Sequence, residues 1–302
     1  MIKPAFHTSH DALELQYQDQ ILFRYIYNRS WGEEEIFLSP KPYFHPLKTL
    51  AGNEVSLFRP YDHPWHTGLA MTMAQLSGEN FWGGGTYTRE AQNYVQLANN
   101  GRIQHLAWLE KSDEEAHVAS ELLHWKTQAG ATWMEEQRHI GVSEVNAEEG
   151  YWSLDLAFHL VNVSAQPLVF GSPTTEGRPL AGYGSLFWRG PRSFLGGQII
   201  GADGLEGPEM LGQSSPWLAF TGWHDGSLQQ STLLFLDQPG NPRYPNKWFV
   251  RNDPYACVSF SFMFDEYYTL PPAAALDLSY RIVIINGAWS RDRIERYRAQ
   301  RP

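Results

Sequence analysis

The sequence predicts an all-β fold, a large antiparallel β-sandwich with a short C-terminal helix. Three observations predict it. Strand-length runs separated by turn-forming residues recur through nearly all of the 302 residues, which is the pattern of packed antiparallel sheets. The run 152–160 alternates cleanly: Trp152, Leu154, Leu156, Phe158 and Leu160 fall on one face, and Ser153, Asp155, Ala157 and His159 on the other. That is an antiparallel strand with one face in a core. Only the tail reads as helix, with Ser290 suited to cap it and Ile294 and Tyr297 three apart on one face. The length suits one domain spanning 1–302, and neither an internal repeat nor a linker interrupts it.

Taken in order, 12–27 reads as two short strands joined at Gln18-Asp19-Gln20. Residues 39–46 carry three prolines, which argue against both a helix and a central strand and predict an extended surface segment. A strand, a turn at 51–53 and a second strand are expected over 47–58, and a further strand over 67–76. Four strands follow at 102–109, 117–127, 132–142 and 152–160, with turns at 111–113, 128–130 and 146–150. β-structure continues over 161–170. Residues 173–192 hold four glycines, three prolines and three arginines and predict a long irregular loop. Residues 198–210 read as loop, and 216–223 and 231–237 as strands joined by a hairpin at His224-Asp225-Gly226. A Pro/Asn/Arg-rich patch spans 238–251, and strands resume at 256–264 and 276–285.

Composition narrows function. A formal net charge of −10 with no basic patch excludes binding to a phosphate backbone. Twelve Trp, 15 Tyr and 16 Phe suit a β-core, and equally the stacking of flat sugar faces. Cys257, the single cysteine, excludes an intrachain disulfide and Cys-based zinc ligation, and it fits a reducing cytoplasm. Its apolar strand predicts a buried, inert thiol. No run of eighteen apolar residues and no cleavable apolar leader are present, so a soluble, cytoplasmic protein without a membrane partner is expected.

The densest chemistry lies in Arg59-Pro60-Tyr61-Asp62-His63-Pro64-Trp65-His66 and, after it, Asn80-Phe81-Trp82-Gly83-Gly84-Gly85. Pro64 keeps His63 out of the helical region and favours a turn over 63–66 that lets both imidazoles face one place. The triple glycine lacks the Lys-Ser/Thr and helix of a phosphate loop, which leaves a bulged strand or close approach of backbone to a ligand.

Four motifs in order, Asp62-His63-Pro64-Trp65-His66, Asn80-Phe81-Trp82, Glu176-Gly177-Arg178-Pro179 and Asn241-Pro242-Arg243 with Trp248-Phe249-Val250-Arg251, resemble the bacterial family labelled PmoA-like. The resemblance spans nearly the whole chain, although Trp65 stands where such sequences more often have a further His. The label suggests methane oxygenation, which needs a membrane span that this chain does not provide. The resemblance implies instead a galactose-mutarotase-like supersandwich and a link to sugar catabolism.

The expected activity is therefore that of a carbohydrate-active enzyme: an epimerase, a lyase or a hydrolase. His63 and His66 would be acid and base, with Glu176 or Asp62 as partner carboxylate. Arg59, Arg178, Arg243 and Arg251 would bind sugar oxygens, with His224 beside them, while Trp82 and Trp248 would stack. No cofactor is required, although His63 and His66 with Asp62, and with His224 or Glu176, could hold a divalent metal. A silent sugar-binding protein would keep the aromatics and arginines and tolerate loss of the imidazoles. All these residues are expected to meet in one cleft formed by loops at one end of the sandwich.

Overall fold

The computed structural model describes residues 4–111 and 117–301. Two eight-stranded antiparallel sheets pack face to face. In spatial order the first holds Ala5–Thr8, Ala12–Tyr17, Gln20–Ile26, Tyr43–Leu47, Leu69–Thr72, Ser185–Arg189, Cys257–Ser261 and Lys247–Arg251. The second holds Gln198–Gly201, Trp217–Trp223, Gln230–Asp237, Ala275–Asn286, Tyr151–Asn162, Thr132–Asn146, Val118–Lys126 and Arg102–Lys111. The all-β sandwich read from the sequence is the fold observed. The turn expected at 111–113 lies, from Ser112 onward, outside the described residues.

Alternation along the strands divides the apolar side chains among three layers. Trp152, Leu154, Leu156, Phe158 and Leu160 face Leu186, Trp188, Trp248, Val258 and Phe260 across the main core. Full burial of each such side chain contributes about 1.5–3 kcal/mol. The other parity of the second sheet, including Trp217, Leu234, Val283 and Ile285, packs under Ile294 and Tyr297 of the helix Arg291–Ala299. Ser290 caps that helix by accepting from Arg293 N–H. The other parity of the first sheet, Phe187, Phe249 and Cys257, forms a separate cluster with Trp82 and Tyr183, against which Trp65 and Tyr255 pack. This outer face carries the candidate site.

Several local expectations change. Tyr43–Leu47, read as a surface segment, is an inner strand despite Pro46. Its pairing runs from Tyr25↔Phe44 to Phe23↔Leu47, so His45 and Pro46 bulge opposite Arg24; on its other side only Phe44↔Leu69 is paired. The missing proline N–H therefore costs no ladder bond. Ser185–Arg189, read as part of an irregular loop, is an inner strand buried throughout. Its Leu186-Phe187-Trp188 run packs on both faces of the sheet, and the glycines that disguise it, Gly184 and Gly190, lie just outside it. Gln198–Gly201 is an edge strand rather than loop. The strands expected over 47–58 reduce to bridges Lys48↔Glu54 and Phe58↔Thr67, and a 3-10 helix at Glu33–Leu38 went unread.

Cys257 is fully buried, and burial pushes its thiol up to about 12. A thiol so protonated is a poor nucleophile, so a thiol reagent is expected to leave the native protein unlabelled and to react only on unfolding. Rapid labelling under native conditions would contradict this placement.

Candidate active site on the outer face of the first sheet

The histidine segment folds as two consecutive turns. His63 N–H donates to Pro60 C=O at 3.0 Å, and His66 N–H donates to His63 C=O at 3.0 Å. Pro64 takes the second position of the second turn, where its fixed φ is favourable. The loop closes through the Phe58↔Thr67 bridge and a 2.8 Å bond from Arg59 N–H to His66 C=O. Gly68 follows with φ +78°, and a Cβ there would lie 2.2 Å from Phe44 C=O, so only glycine lets the loop re-enter the sheet. The result is a stacked imidazole pair, His63 and His66, with centroids 4.7 Å apart and planes 14° apart.

The triple glycine serves this loop. A Cβ on Gly83 would sit 2.5 Å from Trp65 Cβ, and one on Gly84 2.8 Å from the Trp65 ring. The close approach read from the sequence is therefore first an approach to Trp65. Asn80 fixes the turn, its Oδ1 accepting from Trp82 N–H at 2.8 Å and Gly83 N–H at 2.9 Å.

These loops, with 94, 178–183 and 249–255, enclose a cavity of about 430 Å³ lined by His63, Trp65, His66, Trp82, Gly83, Gly85, Tyr94, Arg178, Tyr183, Phe249, Arg251, Pro254 and Tyr255. Among the described residues that line it are two histidines, two arginines and six Trp, Tyr or Phe rings, and none carries a carboxylate. A cleft of about 460 Å³ lies nearby, lined by Arg29, Trp31, Lys41, His105 and neighbours. Its polar groups are largely satisfied: Lys41 donates to Leu38, Ser39 and Trp82 C=O, and His105 pairs with the buried Glu121 at 2.5 Å. Among the described residues, by contrast, three that line the aromatic cavity carry a buried side-chain nitrogen without a partner: His66 Nε2, Trp65 Nε1 and Arg251 Nε. Unmet hydrogen-bonding capacity at a concave surface makes the aromatic cavity the candidate site.

Two side-chain contacts fix the imidazoles, one buried and one half-buried. Arg189, 1% exposed, extends Nη1 to His66 Nδ1 at 3.0 Å and Nη2 to Asp62 Oδ2 at 2.9 Å, with its guanidinium 4.0 Å from the Tyr255 ring centroid. Guanidinium only donates, so His66 Nδ1 accepts and the neutral ring carries its proton on Nε2, the unpartnered atom. His63 Nδ1 lies 2.8 Å from Asp62 Oδ2. A carboxylate only accepts, so His63 carries its proton on Nδ1 and leaves a lone pair on Nε2. The two stacked rings are thus held in opposite tautomers.

Electrostatics keep both neutral. Burial lowers His66 well below the ordinary imidazole value, and the charges of His63, Arg189 and Lys41 add to it. Burial also lowers His63, against the bond to Asp62. For both rings desolvation is a larger effect than repulsion between like charges. Burial would raise the Asp62 carboxyl, but bonds from His63 and Arg189 hold it well below the usual carboxylate range, and Arg192 adds a 2.9 Å pair.

Of the residues singled out from sequence, His63, His66, Trp82, Arg178 and Arg251 line the cavity, and Asp62 stands behind them. The others lie elsewhere. Arg59 pairs with Glu35 at 2.5 Å. Glu176 accepts from Tyr267 Oη at 3.0 Å. Arg243 staples a loop through Phe262, Glu266 and Tyr267 C=O. Trp248 is in the main core, its Nε1 donating to Ser215 C=O at 2.8 Å, so it has no free face for a sugar. His224 follows a strand of the second sheet and bonds Ser231 Oγ at 2.7 Å. The single cleft at one end of both sheets is therefore replaced by a cavity on the outer face of one sheet.

Sequence reasoning missed Arg189, Lys41, Trp65, Tyr94, Tyr183 and Tyr255. Arg189 had a signal, because an arginine closing a buried strand must find a partner. Lys41 is fully buried, and burial lowers its amine to about 7. Its 2.9 Å bond to Trp82 C=O holds the tryptophan's backbone in place. Arg178 donates to Tyr94 Oη, which lies 2.6 Å from Tyr183 Oη.

Among solved structures, the chain is similar to the GH36 α-galactosidase AgaA of Geobacillus stearothermophilus, seen in complex with stachyose, at 12% identity and a TM-score of 0.40 over 94% of this chain and 40% of that one. It is also similar to the α-galactosidase of Lactobacillus brevis at 9% identity and a TM-score of 0.39, over 94% and 40% of the two chains. The chain thus spans about two fifths of the length of those enzymes. It matches no curated protein sequence. Among the described residues, no helix is long and apolar enough to cross a membrane. The expected PmoA-like membership is corrected by the family model that does match, the family of unknown function DUF6807, over residues 12–299. With nearly its whole length matched, the chain belongs to the DUF6807 family.

Proposed function

We propose that this protein is a carbohydrate-active enzyme that moves a proton at a carbon of its sugar, as an epimerase or a lyase does. The observation that carries this reading is the pair of contacts, Arg189 Nη1 to His66 Nδ1 and Asp62 Oδ2 to His63 Nδ1, that gives the stacked imidazoles opposite tautomers. His63 offers a lone pair and is the base, with Asp62 orienting its ring and stabilising the imidazolium that forms. His66 offers an N–H that Arg189 keeps in place, and it stays neutral while donating to an oxygen on which charge develops. Trp65, Trp82 and Tyr255 supply the flat apolar walls on which a sugar ring stacks.

Hydrolysis by a carboxylate pair is disfavoured. Most glycosidases flank the scissile bond with two carboxylates, whereas none lines this cavity and Glu176 is engaged by Tyr267. A divalent metal also fits poorly. A metal on His66 Nε2 would require the proton to move to Nδ1, against the Arg189 donor. We therefore propose chemistry without a bound metal.

The test is to incubate the protein with a panel of neutral and acidic sugars in deuterated water and follow carbon-bound proton signals by NMR. Exchange of one carbon-bound hydrogen for deuterium, with or without a new product, is the expected result. Saturable binding of a sugar with no exchange would favour the silent sugar-binding protein, and binding of no sugar would end the reading.

A further inference from the structure

Among the described residues, three that line the cavity carry a buried nitrogen without a partner, and these atoms share one character. His66 Nε2, once Nδ1 accepts from Arg189, carries a hydrogen; Trp65 Nε1 and Arg251 Nε can only donate. All three are donors without an acceptor. A buried polar group left without a partner is costly, so a ligand that meets these three gains in proportion. Such a ligand must bring acceptor oxygens.

Charge points the same way. Among the described residues, neither Arg178 nor Arg251 has a carboxylate within ion-pair distance; Arg178 reaches Tyr94 Oη and lies over its ring, and Arg251 lies over the Phe249 ring at 5.3 Å. Asp62, the acid nearest the imidazoles, is already engaged by Arg189, Arg192 and His63. A protein with a net charge of −10 thus keeps two arginines unneutralised in a cavity that no carboxylate lines. Guanidinium pairs best with a planar, bidentate oxyanion.

Resting on the sugar reading above, we propose that the substrate is a sugar acid, seated by its carboxylate among Arg251, Arg178 and Trp65, with the carbon next to that carboxylate presented to His63. The C–H bond at that carbon breaks, its proton goes to His63 Nε2, and its electron pair moves into the carboxylate to give an enediolate. The arginines and His66 Nε2–H stabilise the added charge. Return of the proton from His63 closes the balance without an oxidant or co-reactant, and solvent exchange on His63 introduces deuterium at that one carbon.

Calorimetric binding of D-glucuronate, D-galacturonate, D-galactose, propionate and inorganic phosphate at low ionic strength tests this. At least one uronate is expected to bind about tenfold or more tighter than D-galactose, as a charge-assisted bidentate contact provides. That preference should weaken with salt and be lost in both Arg251→Gln and Arg178→Gln. Arg178 lies on a surface loop, so its variant reports even where Arg251→Gln fails to fold. Equal binding of uronates and D-galactose overturns the carboxylate seat and leaves the sugar reading standing. Binding of propionate as tight as the uronates keeps the seat and ends the sugar reading. Preference for phosphate, or binding of neither uronate, overturns the proposal.

Discussion

Replacing His63 by asparagine is expected to reduce turnover by about 10²–10⁴-fold, the usual contribution of a positioned general base, while leaving thermal stability nearly unchanged. Asparagine keeps an N–H near the place of Nδ1, so Asp62 retains a donor, and only the lone pair on Nε2 is removed. The wild-type pH profile should carry the same assignment. His63 must be neutral to accept a proton, and burial lowers its pKa below the ordinary imidazole value. Activity should therefore be full at neutral pH and fall on the acid side only below the free-imidazole value of about 6.5. The acid limb should vanish in the variant's residual activity. A variant within about tenfold of wild type, a loss too small for a lost base, or a limb lying above the free-imidazole value, would remove His63 from the role of base.

The fold was legible where the side-chain period was. The run from Trp152 to Leu160 alternates strictly and faces the core as read, and Ser290 caps the helix whose Ile294 and Tyr297 are buried. The turn at Pro64 was legible because proline restricts both its own φ and the conformation of His63. Less legible was which face of which sheet carries the site. Trp248 and Arg251 were grouped together, yet they lie on one strand, Lys247–Arg251, at an odd spacing and must point to opposite faces. Parity alone assigns one to the core and the other to the cavity, and Phe249 is the residue that shares the face of Arg251. The partners of Arg189 were beyond reach for another reason. Its bonds to His66 and Asp62 cross 123 and 127 residues, and they depend on the pairing of Leu69–Thr72 with Ser185–Arg189, an inner strand that its glycine-rich flanks disguised.

Arg189→Met is the substitution expected to disturb the molecule most. The side chain is buried and bridges His66 and Asp62, so its removal leaves His66 Nδ1 without a donor and Asp62 short of one cation. Breaking one side of a buried charged contact costs about 3–5 kcal/mol, which for a chain of this size lowers Tm by roughly 5–8 °C. The imidazole should also lose its fixed tautomer. In the wild type, nitrogen-15 NMR should report His66 protonated on Nε2 and His63 on Nδ1; in Arg189→Met, His66 should populate both forms while His63, still bonded to Asp62, should not. The pH dependence of stability follows with its sign. Burial first, and Arg189 with its neighbours after it, lower His66 in the fold, so the unfolded chain binds the proton first as pH falls. Wild-type stability is present above about pH 6.5 and declines as pH drops from there toward the lowered folded value. Without the Arg189 charge the folded value rises part of the way back, the window narrows, and the acid decline in Tm becomes shallower. Lysine should not rescue the variant, because a single ammonium cannot reproduce the fork that reaches both Nδ1 and the carboxylate. An Arg189→Met protein that melts within about 1 °C of wild type, less than the loss of 1 kcal/mol would produce, and that keeps His66 in one tautomer, would show that something other than this arginine orients the ring.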